Sequence, residues 1–295
     1  MKVMSIIGQT FDLTADQWHD HGGRTPVTFT HHLVDEPLLK LDALAQLADL
    51  LDPGQIEVTD ANAPTVVDQR ITERLDGSRP GAPSAGALVR DAEADRRWMA
   101  MRHIEVVPAY RRLVDGVFGE FCATAGLAST DAYRPEGYIF IGATGAVTPA
   151  HVDHEHNLFF QIRGTKRFTT GGFPDKTIEH RTFEGMYAHE YGSTGFAPAD
   201  PTTHVLRPGD GLYVPPPAVH LVENDDSLAI SFSLVFHDPV LDRTAKVYAF
   251  NSHLRQLRLR PRPPGRSATL DRAKAVIVDG WRHSKEALDA INPKR

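Results

Sequence analysis

The sequence predicts a mainly β protein with helical flanks, in which an antiparallel sandwich or barrel is preceded and followed by helices. Three observations carry this prediction. From Tyr138 to Phe236 the chain breaks into short apolar runs separated by turn signals, the mark of antiparallel strands. On either side of that stretch, apolar residues recur at helical spacing. Within it, His151 and Asp153 stand at i and i+2, which on a strand puts both on one face, and His220 follows in a later segment. Two imidazoles and one carboxylate that leave coordination positions open are the ligand set expected of a non-haem Fe(II) centre.

Taken in order, Val27–Val34 alternates like a strand over its first half. It carries His31 and His32, which have no partner at ligand spacing and read as structural or exposed. Leu38–Leu51 is an amphipathic helix with Leu41, Leu44, Leu47 and Leu51 on one stripe, ended by Pro53-Gly54. Ile56–Val58 reads as a strand, and residues 75–91, rich in Gly, Pro and Ser, as a mobile loop. Helical patterns follow over Ala92–Val107 and Ala109–Ala125.

In the β region, Asn157–Arg163 and Lys166–Thr170 flank Gly164-Thr165, which predicts a two-residue hairpin with Gln161 opposite Phe168. With strand character carried back to His151, one face holds His151, Asp153, Asn157, Phe159 and Lys166. The other holds Leu158, Phe160 and Ile162, suited to lie beneath the helices. A lysine aimed inward needs an anionic partner. His154 and His156 have the opposite parity and should point away. Residues 171–207, with Tyr187, His189 and Tyr191, form either a lid or binding surface or a disordered insertion.

After Pro239 a helix is expected over Val240–Leu257, a stiff break at Arg260–Gly265, and a last helix over Thr269–Ile291. Leu270, Ala273, Ile277, Trp281, Leu288 and Ile291 repeat there at near-heptad intervals, the pattern either of a helix capping its own domain or of a dimerisation helix.

The 295 residues, 41% hydrophobic and 24% charged, give ample material for a core. Lys+Arg 32 against Asp+Glu 38 leaves a net −6, so no global basic field favours nucleic acid, although a local patch remains open. A single cysteine, Cys122, excludes an intrachain disulfide and fits a reducing compartment. The apolar run within Met1–Gly8 is too short for a signal peptide, and no stretch approaches the ~20 apolar residues that span a bilayer. The expected location is cytoplasmic. The chain has no Gly-rich phosphate loop, Ser-His-Asp ordering or CxxC zinc site.

Gly145, His151, Asp153, Asn157 and Gly164, followed by Gly209, Pro215, His220 and Asn224, are similar in spacing to the two cupin motifs. Asp153 stands where the first motif has its second histidine, Asn157 where it has glutamate, and Pro217 where the second motif has its inner glycine. With Thr148-Pro-Ala-His-Val-Asp153, Asn157-Leu-Phe159, the run from Phe160 to Lys166 and Pro208 to Pro215, the chain resembles the JmjC/cupin-like Fe(II)/2-oxoglutarate dioxygenases, and within them the asparaginyl hydroxylase of hypoxia-inducible factor and its bacterial relatives.

The resemblance implies a double-stranded β-helix (jelly-roll) core at about 135–236. This would lie within a catalytic domain of residues 1–239 that includes an N-terminal helical and strand wrap, with a C-terminal helical extension over 240–295. It implies His151, Asp153 and His220 as iron ligands, Lys166 and Thr148 as partners of the distal carboxylate of 2-oxoglutarate, and Asn157 and Phe159 as pocket lining. Ser233 takes the place of the family's late asparagine. The family's upstream tyrosine is not placed by the alignment of motifs, and Trp98, which stands nearest, is no equivalent donor. The implied reaction is O2-dependent hydroxylation, or demethylation, of a polypeptide side chain or a small amino-acid-like molecule. Two alternatives stay open: a Mn or Zn cupin enzyme without O2 chemistry, and a non-catalytic JmjC-like regulatory protein.

Overall fold

The computed structural model describes residues 10–21, 23–60, 73–74, 83–187 and 193–291. Its strands, in chain order, are β1 (Val27–Thr30), β2 (Ile56–Asp60), β3 (Glu73–Arg74), β4 (Arg97–Arg102), β5 (Tyr133–Gly142), β6 (Val147–His151), β7 (His156–Arg163), β8 (Lys166–Gly172), β9 (Ala199–Leu206), β10 (Asp210–Val214), β11 (Val219–Asn224) and β12 (Ala229–His237). From β5 onward the chain passes back and forth between two antiparallel sheets. One sheet has the order β1-β10-β7-β12-β5-β4-β2-β3, the other β6-β11-β8-β9. This is the jelly-roll expected from the sequence, its larger sheet widened at one edge by β1 and at the other by β4, β2 and β3.

The alternation of β7 explains how the core is divided. Leu158, Phe160 and Ile162 face outward and join the large core cluster with helix residues Val117 and Phe121. Phe159 faces inward, where it packs with Phe168, Leu206, Leu212, Val214, Ala218 and Val222 between the sheets. Both faces are covered, so the strand is buried over all but its last residue, Arg163. The helix α4 (Pro108–Ala125) supplies much of the outer layer. Pro108 sits in its first turn and Gly126, at φ 66°, ends it, while Tyr110, Leu113, Val114, Val117, Phe121 and Ala125 form the buried stripe. His31 is buried, and its ring is fully used: Nε2 donates to the Gln161 carbonyl (3.1 Å) and Nδ1 accepts from the Leu33 N–H (3.1 Å). His32 is exposed and lies 3.7 Å from Asp12.

Several expectations need correction. The leucine stripe does form a helix, α2 (Leu41–Leu50), but a 3-10 turn at Pro37–Leu39 precedes it, with the Glu36 carboxylate accepting from the Leu38 N–H. The helix expected over Ala92–Val107 is instead β4 followed by a 3-10 turn at Ile104–Val106. Ala, Met and Arg are good helix formers, but Met99, Ala100 and Met101 are wholly buried between β2 and β5, and that ladder overrides local propensity. Of the loop expected at 75–91, residues 75–82 lie outside those described, and Ala85–Arg90 is a short helix capped by Ser84. The segment 171–207 is not a disordered insertion where it is described, because it contains a helix, α5 (Lys176–Met186), and β9. His189 and Tyr191 lie outside the described residues.

The hairpin at Gly164-Thr165 does not form. β7 pairs with β10 and β12, whereas β8 pairs with β11 and β9, so Gly164 is a corner where the chain changes sheets. Its φ is +69°, and a Cβ there would lie 2.6 Å from the Leu228 carbonyl oxygen. Gly164→Ala is therefore expected to cost about 2 kcal/mol or more, read as a lower denaturant midpoint at unchanged slope.

The chain divides into two compact units. The first holds both sheets. The second holds α5, α6 (Pro239–Gln256) and α7 (Ala268–Ile291). Within it, α7 turns Asp271, Lys274, Ala275 and Val278 inward and leaves Leu270, Val276, Ile277 and Trp281 exposed. The near-heptad stripe of the sequence is thus largely a solvent face over the residues whose side chains are described. Arg255 pairs with Glu184, joining α6 to α5.

Candidate metal centre

His151 ends β6, His220 lies near the start of β11, and the two are direct partners in the β6·β11 ladder. Asp153 follows His151 in the short crossing to β7. The ring centroids of His151 and His220 are 4.1 Å apart. His151 Nε2 lies 3.8 Å from Asp153 Oδ1, and His220 Nε2 lies 3.5 Å from Asp153 Oδ2. One donor atom from each of the three residues falls within 4.8 Å of the other two, close enough to share one ion.

Both imidazoles are oriented by the same local device. His151 Nδ1 lies 2.8 Å from the carbonyl of Pro149, and His220 Nδ1 lies 3.0 Å from that of Ala218. A carbonyl only accepts, so each Nδ1 carries the proton and each Nε2 turns its lone pair toward the site. His220 also stacks on Phe168, with centroids 5.2 Å apart. Burial, reinforced by His151, lowers its pKa to about 4, so it is neutral at physiological pH. For Asp153, removal from water acts to raise the pKa. The neighbouring imidazoles and a hydrogen bond from Asn157 outweigh this and hold it below the usual carboxylate value. The trio therefore presents a carboxylate and two imidazole Nε2 atoms turned toward one point, which fits a divalent transition metal with positions to spare.

The remaining residues singled out by the sequence fall around this trio. Asn157 is buried, and its Oδ1 accepts from Ser233 Oγ at 2.9 Å, so a chain of hydrogen bonds runs from Ser233 through Asn157 to Asp153. Lys166 is 3% exposed and its Nζ lies 5.4 Å from the centre of the Phe159 ring. The hairpin register was wrong, yet lysine and phenylalanine still meet, because they project from the facing inner sides of opposite sheets. Thr148 is partly exposed on β6, in register with Val222. His156 points away as expected, stacking on Phe236 and sharing a 2.7 Å hydrogen bond with Tyr213. His154 pairs with Glu155 at 2.8 Å.

Lys166 is the electrostatic anomaly of the site. Burial lowers its pKa from 10.5 to about 7, with no opposing contribution from a neighbouring charge. Among the described residues it has neither an ion-pair partner nor a hydrogen bond. Sequence reasoning overlooked Phe168, and also Tyr138, which lies in one register row with Ser233 and Phe159 and donates to Glu136 at 3.1 Å. The period-two pattern of β5 could have placed Tyr138 inward, but not opposite Ser233.

A double-stranded β-helix with a two-histidine, one-carboxylate cluster at one end of its interior defines a cupin-type metal-binding protein. Residues 127–243 match the JmjC domain family. It is similar to the Jumonji C domain-containing protein 5 of Drosophila melanogaster, 32% identical over 108 residues, which are 33% of this chain and 26% of that protein. The chain thus spans about a quarter of the curated relative it matches. In fold it is similar to YcfD of Escherichia coli, with a TM-score of 0.50 and 16% identity over 95% of this chain and 69% of that one. A second solved structure, YcfD described as a ribosomal oxygenase in complex with cobalt and 2-oxoglutarate, gives a TM-score of 0.47 at 16% identity, over 96% and 68% of the two chains. No helix among the described residues is long and apolar enough to cross a membrane.

Proposed function

We propose that this chain is an Fe(II)- and 2-oxoglutarate-dependent oxygenase. His151, Asp153 and His220 hold the metal, and Lys166, with Thr148, receives the far carboxylate of the co-substrate. The observation that carries this reading is a buried, unpartnered lysine on the inner wall of the barrel that also bears the triad. A desolvated cation kept without a protein anion is a costly feature, and a dicarboxylate bound by its other end at the metal would satisfy it. Iron, when bound, supplies the redox chemistry that lets O2 attack an unactivated C–H bond.

The chain's own residues supply geometry. The Pro149 and Ala218 carbonyls fix both imidazole tautomers. Ser233 and Asn157 hold the Asp153 carboxylate, and Phe159, Phe168, Leu212 and Val222 give the pocket a dry lining. The substrate in this reading is a polypeptide side chain, hydroxylated or demethylated, or a small amino-acid-like molecule. The description of YcfD as a ribosomal oxygenase and the JmjC match support the polypeptide. Residues 1–239 form the catalytic part and 240–295 an extension. The exposed Ile277 and Trp281 of α7 favour a homodimer formed through it, in the cytoplasm.

The test is anaerobic. Fe(II) followed by 2-oxoglutarate should produce a weak visible charge-transfer band that bleaches on admitting O2, with succinate formed. Thermal stabilisation should rise with 2-oxoglutarate as RT ln(1 + [L]/Kd). Metal binding with neither band nor stabilisation would assign the chain to a cupin of different chemistry.

A further inference from the structure

The net charge of −6 hides a strong segregation. Residues 238–295 contain 13 Lys+Arg and 6 Asp+Glu, a net +7, while residues 1–237 contain 19 and 32, a net −13. Between Asp242 and Asp271 no acidic residue occurs, and seven basic ones do: Lys246 and six arginines. Four of these arginines, Arg258, Arg260, Arg262 and Arg266, lie in or beside the connector from α6 to α7, and all four are exposed.

The connector is held in place by buried polar groups. Lys274 of α7 is 3% exposed, and its Nζ donates to Asn251 Oδ1 (2.7 Å) and to the Arg262 carbonyl (2.8 Å). Asn251, wholly buried on α6, donates to the same carbonyl at 3.1 Å. The Gly265 N–H donates to the Asp271 carboxylate at 2.7 Å. Two buried side chains thus converge on the main chain of one arginine, and Pro261, Pro263 and Pro264 stiffen the path between. The main chain is pinned inward and the guanidinium groups project outward.

We propose that this arginine connector binds RNA. A run of 28 residues with cations of one sign suits a partner of uniform opposite charge, and a polynucleotide backbone is such a partner. Arginine outnumbers lysine six to one here, and its planar fork grips phosphate oxygens in pairs, whereas a lipid surface responds to charge alone. The connector offers no helix or two-stranded ribbon shaped for the major groove of duplex DNA. An irregular, arginine-rich segment is a form in which RNA is commonly recognised.

The test uses the full chain and a fluorescein-labelled single-stranded RNA of about 20 nucleotides, followed by anisotropy over about 50–200 mM salt. Four phosphate contacts predict a slope of log K against log salt of about −2.8, close to a fiftyfold loss across that range. Replacing Arg258, Arg260, Arg262 and Arg266 together by glutamine should weaken binding at least about tenfold at low salt and flatten the slope by the same ~2.8. The double variant R260Q/R266Q should show half that change in slope and serves if the quadruple variant folds poorly. Replacement of all four by lysine should keep the slope and lose affinity. RNA binding that is absent, or unchanged in both glutamine variants, would overturn the proposal. So would equal competition by polyglutamate or by phosphatidylserine vesicles, which would give the patch to an acidic protein or a lipid surface.

Discussion

Lys166→Met should make the metal-free protein more stable while abolishing its affinity for 2-oxoglutarate. The two effects share one cause. In the unfolded chain this lysine titrates near 10.5, and burial brings it to about 7 in the folded one. At 1.36 kcal/mol per unit, the charge costs the fold up to about 5 kcal/mol at pH 7. Methionine fills a similar space without that cost and keeps contact with the Phe159 ring. Between pH 7 and 10.5 the unfolded chain holds a proton that the folded chain has released, so wild-type stability should rise with pH across this window and level off above it. The advantage of the methionine variant is therefore largest at and below pH 7 and fades toward pH 10.5.

The co-substrate depends on pH with the opposite sign. Only the protonated amine attracts a carboxylate, so affinity should fall by up to about tenfold per pH unit above 7, a dependence the variant lacks. Denaturant melts at pH 7 and pH 10, with calorimetric titrations at pH 6.5 and 8.5, measure both. A variant less stable than the wild type at pH 7 would mean that the protein itself supplies an anion to Lys166.

What the sequence revealed of this molecule follows the range over which each signal acts. Period two along β7 and the 3.6 repeat of α4 are local and dictated by burial, so the strand faces and helix stripe were readable. The spacing of His151 and Asp153 was readable because consecutive residues cannot stray far from one another. His220 could be proposed as the third ligand by residue type, but nothing local says that β11 lies beside β6.

The failures are long-range. Gly164 has the composition of a hairpin turn, but β8 gains more by pairing with β11 and β9 across the barrel than by folding back on β7. Arg97–Arg102 has helical propensity, but pairing on both sides, with β2 and β5, holds it as a strand. The lysine survived the wrong register for a physical reason. In a hairpin its face is shared with Phe159, and across a sandwich the inner faces meet, so both geometries bring the same two side chains together. Resemblance placed Ser233 at the site, but its bond to Asn157 could not be read, because it joins residues 76 positions apart.

Asp153→Ala should remove metal binding altogether within the accessible concentration range, a loss of at least about a hundredfold, because even partners behind the ligands are worth 10–100-fold. Asp153 is the trio's only anion. Without it a divalent cation faces only two imidazoles, held 4.1 Å apart between centroids, with no carboxylate to offset the cation's lost hydration. The metal-free fold should survive, since the side chain is about one-third exposed and bears no core packing. Ser233→Ala provides the graded comparison. It leaves all three donors in place but frees Asn157 to turn from Asp153, so metal affinity should fall by about tenfold, with the fold and Lys166 untouched. Co(II) titrations followed by visible absorption and thermal shift separate the two. If Asp153→Ala retains Co(II) affinity within a factor of a few, the ion is held elsewhere, and the convergence of these three side chains has another cause. If it loses Co(II) yet still gains thermal stability from 2-oxoglutarate, then Lys166 alone anchors the co-substrate and the metal serves only to orient it.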